Sequence, residues 1–159
     1  MAGALVVLAA LPLLSGCTPA LRVLIAVRAV DGEPVALLLS CPDFQIDDVS
    51  VYTVHRSVTA TENGPDRILQ RTGPTVPSAL KLFGPPPSGW KVVVDDLTAL
   101  EPGQSYGLGA GASGRSAESV TFTAEDLAAL APDEVLAGDP RSHEKMTERE
   151  FRDGAEDEC

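Results

Sequence analysis

Between residues 21 and 123 the chain consists of short apolar or alternating segments that are separated by turn residues. Alternation with a period of two indicates a β-strand with one buried face, and these segments are too short for amphipathic helices. Seven such segments predict an all-β fold, a single antiparallel sandwich that covers residues 21–124. The segments are 21–29, 34–41, 48–56, 67–71, 90–95, 104–112 and 118–123.

Several segments carry features that predict their place in the sheets. Segment 21–29 alternates, which predicts that its odd-numbered residues, from Leu21 to Ala29, share one buried face. Segment 34–41 is a continuous apolar run, which predicts a central strand buried on both faces. Segment 67–71 is short and is expected at a sheet edge. The proline-rich stretch 72–89 is expected to be a long connection between strands.

Residues 100–106 read LEPGQSY, which matches the L-x-P-G-x-x-Y motif of fibronectin type III domains. In this respect the chain resembles that family, and the resemblance implies a tyrosine corner formed by Leu100, Pro102, Gly103 and Tyr106. It also implies that Tyr106 and every second residue after it, to Ala112, point inward. The tryptophan common in an early strand of the family is absent, so an immunoglobulin-like sandwich of another type stays open as the alternative.

The N-terminus carries the features of a secretory signal peptide over residues 1–16. Its apolar run, residues 2–14, has no charged residue and is shorter than the roughly 20 residues of a bilayer span. The run ends in Leu14-Ser15-Gly16-Cys17, which resembles the lipobox of bacterial lipoproteins. That resemblance implies cleavage before Cys17, lipidation of its thiol with palmitate-like acyl chains, and a lipidated tether of residues 17–20. An uncleaved membrane span is the alternative.

Lipidation would attach the domain to the cell membrane through its lipid anchor, on the extracytoplasmic face. Cys41 and Cys159 would then be an even pair in an oxidising compartment, which predicts a disulfide. The alternative is two free thiols, with Cys41 buried at a strand end.

The abundance of Ala, Val, Gly and Pro, with Arg in excess over Lys, is typical of GC-rich bacteria such as actinobacteria.

The chain is acidic, with 12 Lys and Arg residues against 23 Asp and Glu residues and a formal net charge of −11. This balance argues against a nucleic-acid partner, since phosphates require a clustered basic face. Acidic residues concentrate in residues 125–159, which we expect to form an acidic extension with a short helix. Thr147 and Glu150 form a possible capping box, and Phe151, Ala155 and Cys159 fall on one helix face that would dock on the sandwich.

No pattern in the sequence predicts catalysis. The two histidines, His55 and His143, have no metal-ligand spacing around them, and no nucleophile elbow is present. The pairs Asp47–Asp48 and Asp95–Asp96 have the chemistry for acid–base work or calcium, but their positions beside turns favour capping or solvation. We therefore expect no enzyme activity, cofactor or metal.

Gly107, Gly109 and Gly111 recur with the period of a strand, not with the spacing of a phosphate-binding loop. They predict an outward strand face without side chains, covered by a loop or open to another backbone or a flat ligand.

The function that these features favour is a non-enzymatic binding or interaction module of the cell envelope, with a protein or envelope component as partner. The alternative is an accessory subunit that positions a membrane enzyme or transporter complex.

Overall fold

The computed structural model describes residues 21–54, 66–138 and 143–159, and these form two antiparallel β-sheets packed as a sandwich. The predicted signal peptide, the lipobox-like residues 14–17 and His55 lie outside the described residues. In chain order the strands are β1 (Ile25–Val30), β2 (Glu33–Leu38), β3 (Asp48–Thr53), β4 (Asp66–Arg71), β5 (Ala79–Lys81), β6 (Trp90–Asp95), β7 (Ser105–Ala112), β8 (Arg115–Ser116), β9 (Val120–Thr123), β10 (Glu134–Ala137) and β11 (Glu144–Thr147), with helices α1 (Ala124–Ala128) and α2 (Glu148–Asp157).

The first sheet has the strand order β11-β10-β1-β2-β5, and the second has the order β6-β4-β3-β7-β8 with β9 also paired to β7. All of these pairings are antiparallel. The sandwich predicted from the alternating segments is therefore confirmed.

The core lies between the sheets and is made of aliphatic side chains with few aromatic ones. On β7 the residues predicted to point inward, Tyr106, Leu108, Ala110 and Ala112, are all buried. The continuous run of β2 is buried from Val35 to Leu38, as predicted.

The face prediction for segment 21–29 is wrong. Leu21 is exposed, whereas the four consecutive residues from Leu24 to Val27 are fully buried. The reason is that both faces of the first half of β1, which lies between β2 and β10, are buried, whereas Arg28–Val30 are partly exposed. Alternation describes a strand with one solvated face, which the first half of β1 does not have.

Two further expectations, on the place of β4 in its sheet and on the proline-rich stretch 72–89, are corrected. The segment expected at an edge, β4, lies between β3 and β6. The proline-rich stretch contains β5, which pairs with β2 and forms the edge of the first sheet. Because β5 is only three residues long, it leaves little periodic signal among its prolines.

The boundary expected at residue 124 is not a boundary of the sandwich. Beyond it, β10 pairs with β1 and carries the buried residues Val135, Leu136 and Ala137. Only the last part of the region matches the expected extension: α2 begins after Thr147, whose side chain forms the predicted capping box with Glu150. Phe151 and Ala155 are buried on the predicted face. Across the parts of the chain that the structure describes, no helix has the length and apolar character needed to cross a membrane.

Candidate binding site

The sandwich has two ends, which we name by what they carry. The disulfide end holds Leu21, Cys41 and Cys159, and the groove end holds the β1–β2 turn at Gly32 and helix α1. Strand β1 runs from the disulfide end to the groove end; its six residues span about 20 Å. The first described residue and the groove are thus on opposite ends of the domain.

At the disulfide end the first described residues and the end of α2 are held together. Cys41 and Cys159 form the predicted disulfide, with Cα atoms 5.1 Å apart. Next to it, the backbone N–H of Val23 donates to the Glu158 carboxylate at 2.6 Å. Arg22 forms a two-pronged ion pair with Asp43 at 2.8 and 3.0 Å. These contacts fix the point at which the chain enters the domain.

At the groove end the two sheets leave an apolar groove of about 420 Å³. Small-molecule and side-chain pockets typically start near 300 Å³, so this groove has the size for one bulky apolar group. Its apolar lining comes from four separate parts of the chain: Ala29 and Pro34, Phe83, Ala99 and Leu100, and Leu127 and Ala128.

The tyrosine motif builds one wall of this groove. The Tyr106 hydroxyl accepts a hydrogen bond at 2.7 Å from the backbone N–H of Glu101, which is the bond back to upstream backbone that defines a tyrosine corner. Tyr106 is buried and lies 6.1 Å from the Phe122 ring. The bond holds the loop before β7 in place, and with it the lining residue Leu100.

A second wall rests on a charged residue inside the core. Arg67 faces inward from β4 with only 3% of its surface exposed. Its guanidinium donates to the Gly84 carbonyl at 2.5 Å and to the Asp95 carboxylate, and it lies 6.0 Å from the Phe83 ring centroid. A buried charge is tolerated when it is paired and hydrogen-bonded. Arg67 thereby ties Phe83 and Gly84, both in the groove lining, to the second sheet.

The third wall is helix α1. Its N-cap Thr123 accepts a hydrogen bond from the Asp126 N–H, and the Asp126 carboxylate accepts one from the Thr123 N–H. This capping box fixes a helix too short to be stable by itself. The fixed turn places Leu127 against the core and Ala128 at the groove.

Carboxylates accompany the segments that line the groove. Glu33 is in the lining itself, and five others lie within two residues of a lining residue in the chain: Asp31, Asp96, Glu101, Glu125 and the half-buried Asp126. Two basic residues, Arg28 and Lys81, are as near in the chain, and Arg67, which is paired with Asp95, reaches the lining at Gly84 from β4. Lys81 is paired with Glu33 at 2.6 Å, and Arg28 with Glu148 at 2.5 Å. Within the described residues, no Lys or Arg forms an ion pair with the exposed carboxylates Asp31, Asp96 and Glu101. The groove end is therefore strongly acidic.

The glycine stripe on β7 is covered, but by neighbouring side chains and not by a loop. Tyr52, Ser50 and Asp48 of β3 pair with Gly107, Gly109 and Gly111 and lie across them. A Cβ at Gly107 would overlap the Tyr52 ring, and one at Gly111 would sit 2.9 Å from the Asp48 Cγ. A smaller, polar groove of about 280 Å³ lies beside this stripe, next to Leu21.

The remaining candidates for chemistry do not converge. Over the described parts of the chain, no group of three or more His, Cys, Asp or Glu side chains is placed to hold a metal ion. His143 contacts the Thr121 carbonyl at 2.9 Å. Asp95 is the partner of Arg67. Burial and the adjacent Asp47 carboxyl raise the pKa of Asp48 above its ordinary value, while Asp47 accepts a hydrogen bond from the Ser113 N–H at 2.8 Å. Asp47 thus helps to hold the β7–β8 turn.

Comparison with known proteins gives no match: no family model, no curated protein and no solved structure is similar to this chain. The site is therefore interpreted from its own residues. Sequence reasoning located the tyrosine motif and the disulfide but missed the groove, because its lining comes from segments that only the fold brings together.

Proposed function

We propose that this protein is a lipid-anchored, non-enzymatic binding module of the bacterial cell envelope, held on the extracytoplasmic face of the membrane by Cys17. The observation that carries the proposal is the lipobox-like sequence Leu14-Ser15-Gly16-Cys17 directly after an apolar run. The Cys41–Cys159 disulfide supports it, because such bonds persist in oxidising compartments.

The position of Leu21 indicates how a lipid on Cys17 would orient the domain at the membrane. Only three residues separate Cys17 from Leu21, which lies at the disulfide end. Three residues span roughly 10 Å even when fully extended. A lipid on Cys17 would hold the disulfide end close to the headgroups and direct the groove end away from the membrane.

The experiment is metabolic labelling with an alkyne fatty acid in a bacterial host, comparing the wild-type chain with Cys17→Ala. We expect label on the wild-type protein and none on the variant. Cys41→Ala, which also removes one thiol, is the matched control and should keep its label. Label retained in Cys17→Ala, or an unlabelled wild-type chain with residues 1–16 intact in the cytosol, would overturn the proposal.

The short tether also favours a second candidate, an accessory subunit that positions a membrane enzyme or transporter. A tether of this length keeps the domain within reach of membrane proteins that project only slightly above the bilayer. Crosslinking in intact cells from a photoreactive residue at the exposed Leu21, at the end nearest the membrane, and in a second variant at Ala128 in the groove distinguishes the two. One integral membrane protein as the main product would favour the accessory subunit, and a soluble envelope protein the binding module.

A further inference from the structure

The groove end combines an apolar cavity with nearby carboxylates, of which Asp31, Asp96 and Glu101 form no ion pair with a Lys or Arg of the described residues. The cavity of about 420 Å³ has the size for one large side chain. Its walls are held by the Tyr106–Glu101 bond, the Arg67–Gly84 bond and the α1 capping box, so the shape is present before anything binds. A preformed cavity spares a ligand the cost of ordering it.

The charge of the rim decides what kind of partner fits. Exposed carboxylates attract cationic groups and repel anionic ones, and they raise the association rate of a basic partner. A second copy of this chain would bring the same acidic rim to the contact, so self-association through this end is opposed by like charge. Leu21, where the described chain enters the domain, lies at the opposite end, and a tether of residues 17–20 is too short to reach the groove from there.

We propose that the groove end binds a basic segment of another protein, which inserts one apolar side chain between Phe83, Leu100 and Leu127 while its Lys or Arg residues face Asp31, Asp96 and Glu101. The apolar side chain supplies burial, and the flanking cations supply specificity and a fast on-rate. This proposal rests on the proposed function for the direction in which the groove faces and for the position of the N-terminal segment at the membrane. The binding itself does not depend on lipidation of Cys17.

The test uses the full chain in phosphatidylcholine nanodiscs, which hold the apolar N-terminal segment whether or not it is lipidated. The probe is a fluorescent nine-residue peptide with a central leucine flanked by lysines. One matched peptide has serine in the centre, and another has glutamates in place of the lysines. Anisotropy measures binding at two salt concentrations, with empty nanodiscs as the blank.

We expect the lysine–leucine peptide to bind at least about tenfold more tightly than either matched peptide. Its affinity should fall as salt rises, because exposed charges are screened. Ala128→Trp, which fills the groove, should lower the affinity about tenfold. The double variant Asp31→Asn with Glu101→Gln should weaken binding and flatten the salt dependence. The remote variant Asp157→Asn on α2 is the matched control and should change neither.

Equal binding of the leucine and serine peptides would overturn the role of the groove. Equal binding of the lysine and glutamate peptides would overturn the role of the rim, and dimerisation through this end in sedimentation would identify a second copy as the occupant instead. The charge variants keep the proposal testable if Ala128→Trp fails to fold. A negative result in the peptide-binding test would not affect the fatty-acid labelling result. The binding proposal and the lipid-anchor proposal can therefore be refuted independently.

Discussion

Removal of the disulfide by Cys159→Ala should destabilise the domain by several kcal/mol. The bond joins residues 118 apart in sequence and so closes most of the described chain into one loop. The chain-entropy relation gives about 4.9 kcal/mol at 25 °C for a loop of that size. This is an upper figure, because a compact unfolded chain loses less entropy on cross-linking.

The variant isolates the cross-link because Cys159 is itself exposed at the end of the chain. Cys41 is fully buried and would remain in place as a small apolar thiol. The loss of the Cys159 sulfur therefore removes little packing, and most of the measured change should come from the unfolded state. The Phe151 and Ala155 contacts of α2 stay available, so the native state should keep its helix.

The assay is urea unfolding followed by circular dichroism, with free energies obtained by linear extrapolation. Wild type treated with a thiol reductant is the control, and its free energy of unfolding should fall by the same amount as in the variant. The stability of Cys159→Ala should not change with reductant. A loss below about 1 kcal/mol in the variant would refute the reasoning, because it would show that α2 fixes the end of the chain without the covalent bond.

Three smaller changes probe other parts of the domain. Gly107→Ala should cost about 1–3 kcal/mol, since its Cβ overlaps the Tyr52 ring, and adding Tyr52→Ala should recover part of the loss in a double-mutant cycle of urea unfolding. Phe151→Ala, at a site 2% exposed, should cost about 3–5 kcal/mol by the same assay. Asp48, whose folded-state pKa is raised, binds its proton more tightly when folded, so its ionisation costs stability as the pH rises above its ordinary pKa of 3.8. Asp48→Asn should therefore have a larger free energy of unfolding than wild type at pH 7, and the difference should shrink as the pH falls toward 3.8. A difference that stays the same at low pH would show that ionisation of Asp48 is not its cause.

Features encoded by neighbouring residues were predictable from the sequence. The tyrosine motif at residues 100–106 and the capping box of Thr147 and Glu150 each depend on a few positions close together in the chain, and the structure contains the corresponding bonds. The inward face of β7 was predictable for the same reason, because its alternation is intact from Tyr106 to Ala112.

Features that depend on long-range pairing were not predictable. Strand β10 has only four residues and follows a turn at Pro132, so its apolar residues are too few to give a period. It becomes a strand because β1 offers it a free edge, which the sequence of β10 does not reveal. The inward Arg67 was missed for a related reason: an arginine inside a core is stable only where Gly84 and Asp95 are present to accept its hydrogen bonds.

The arrangement of the two ends gives the proposals a common physical basis. A tether at Cys17 would bring the disulfide end to the membrane and leave the groove at the far end of the domain. A basic partner that approaches the groove would be attracted by the carboxylates near it. Because that attraction is screened by salt while burial of an apolar side chain is not, the on-rate should depend on ionic strength much more than the dissociation rate does.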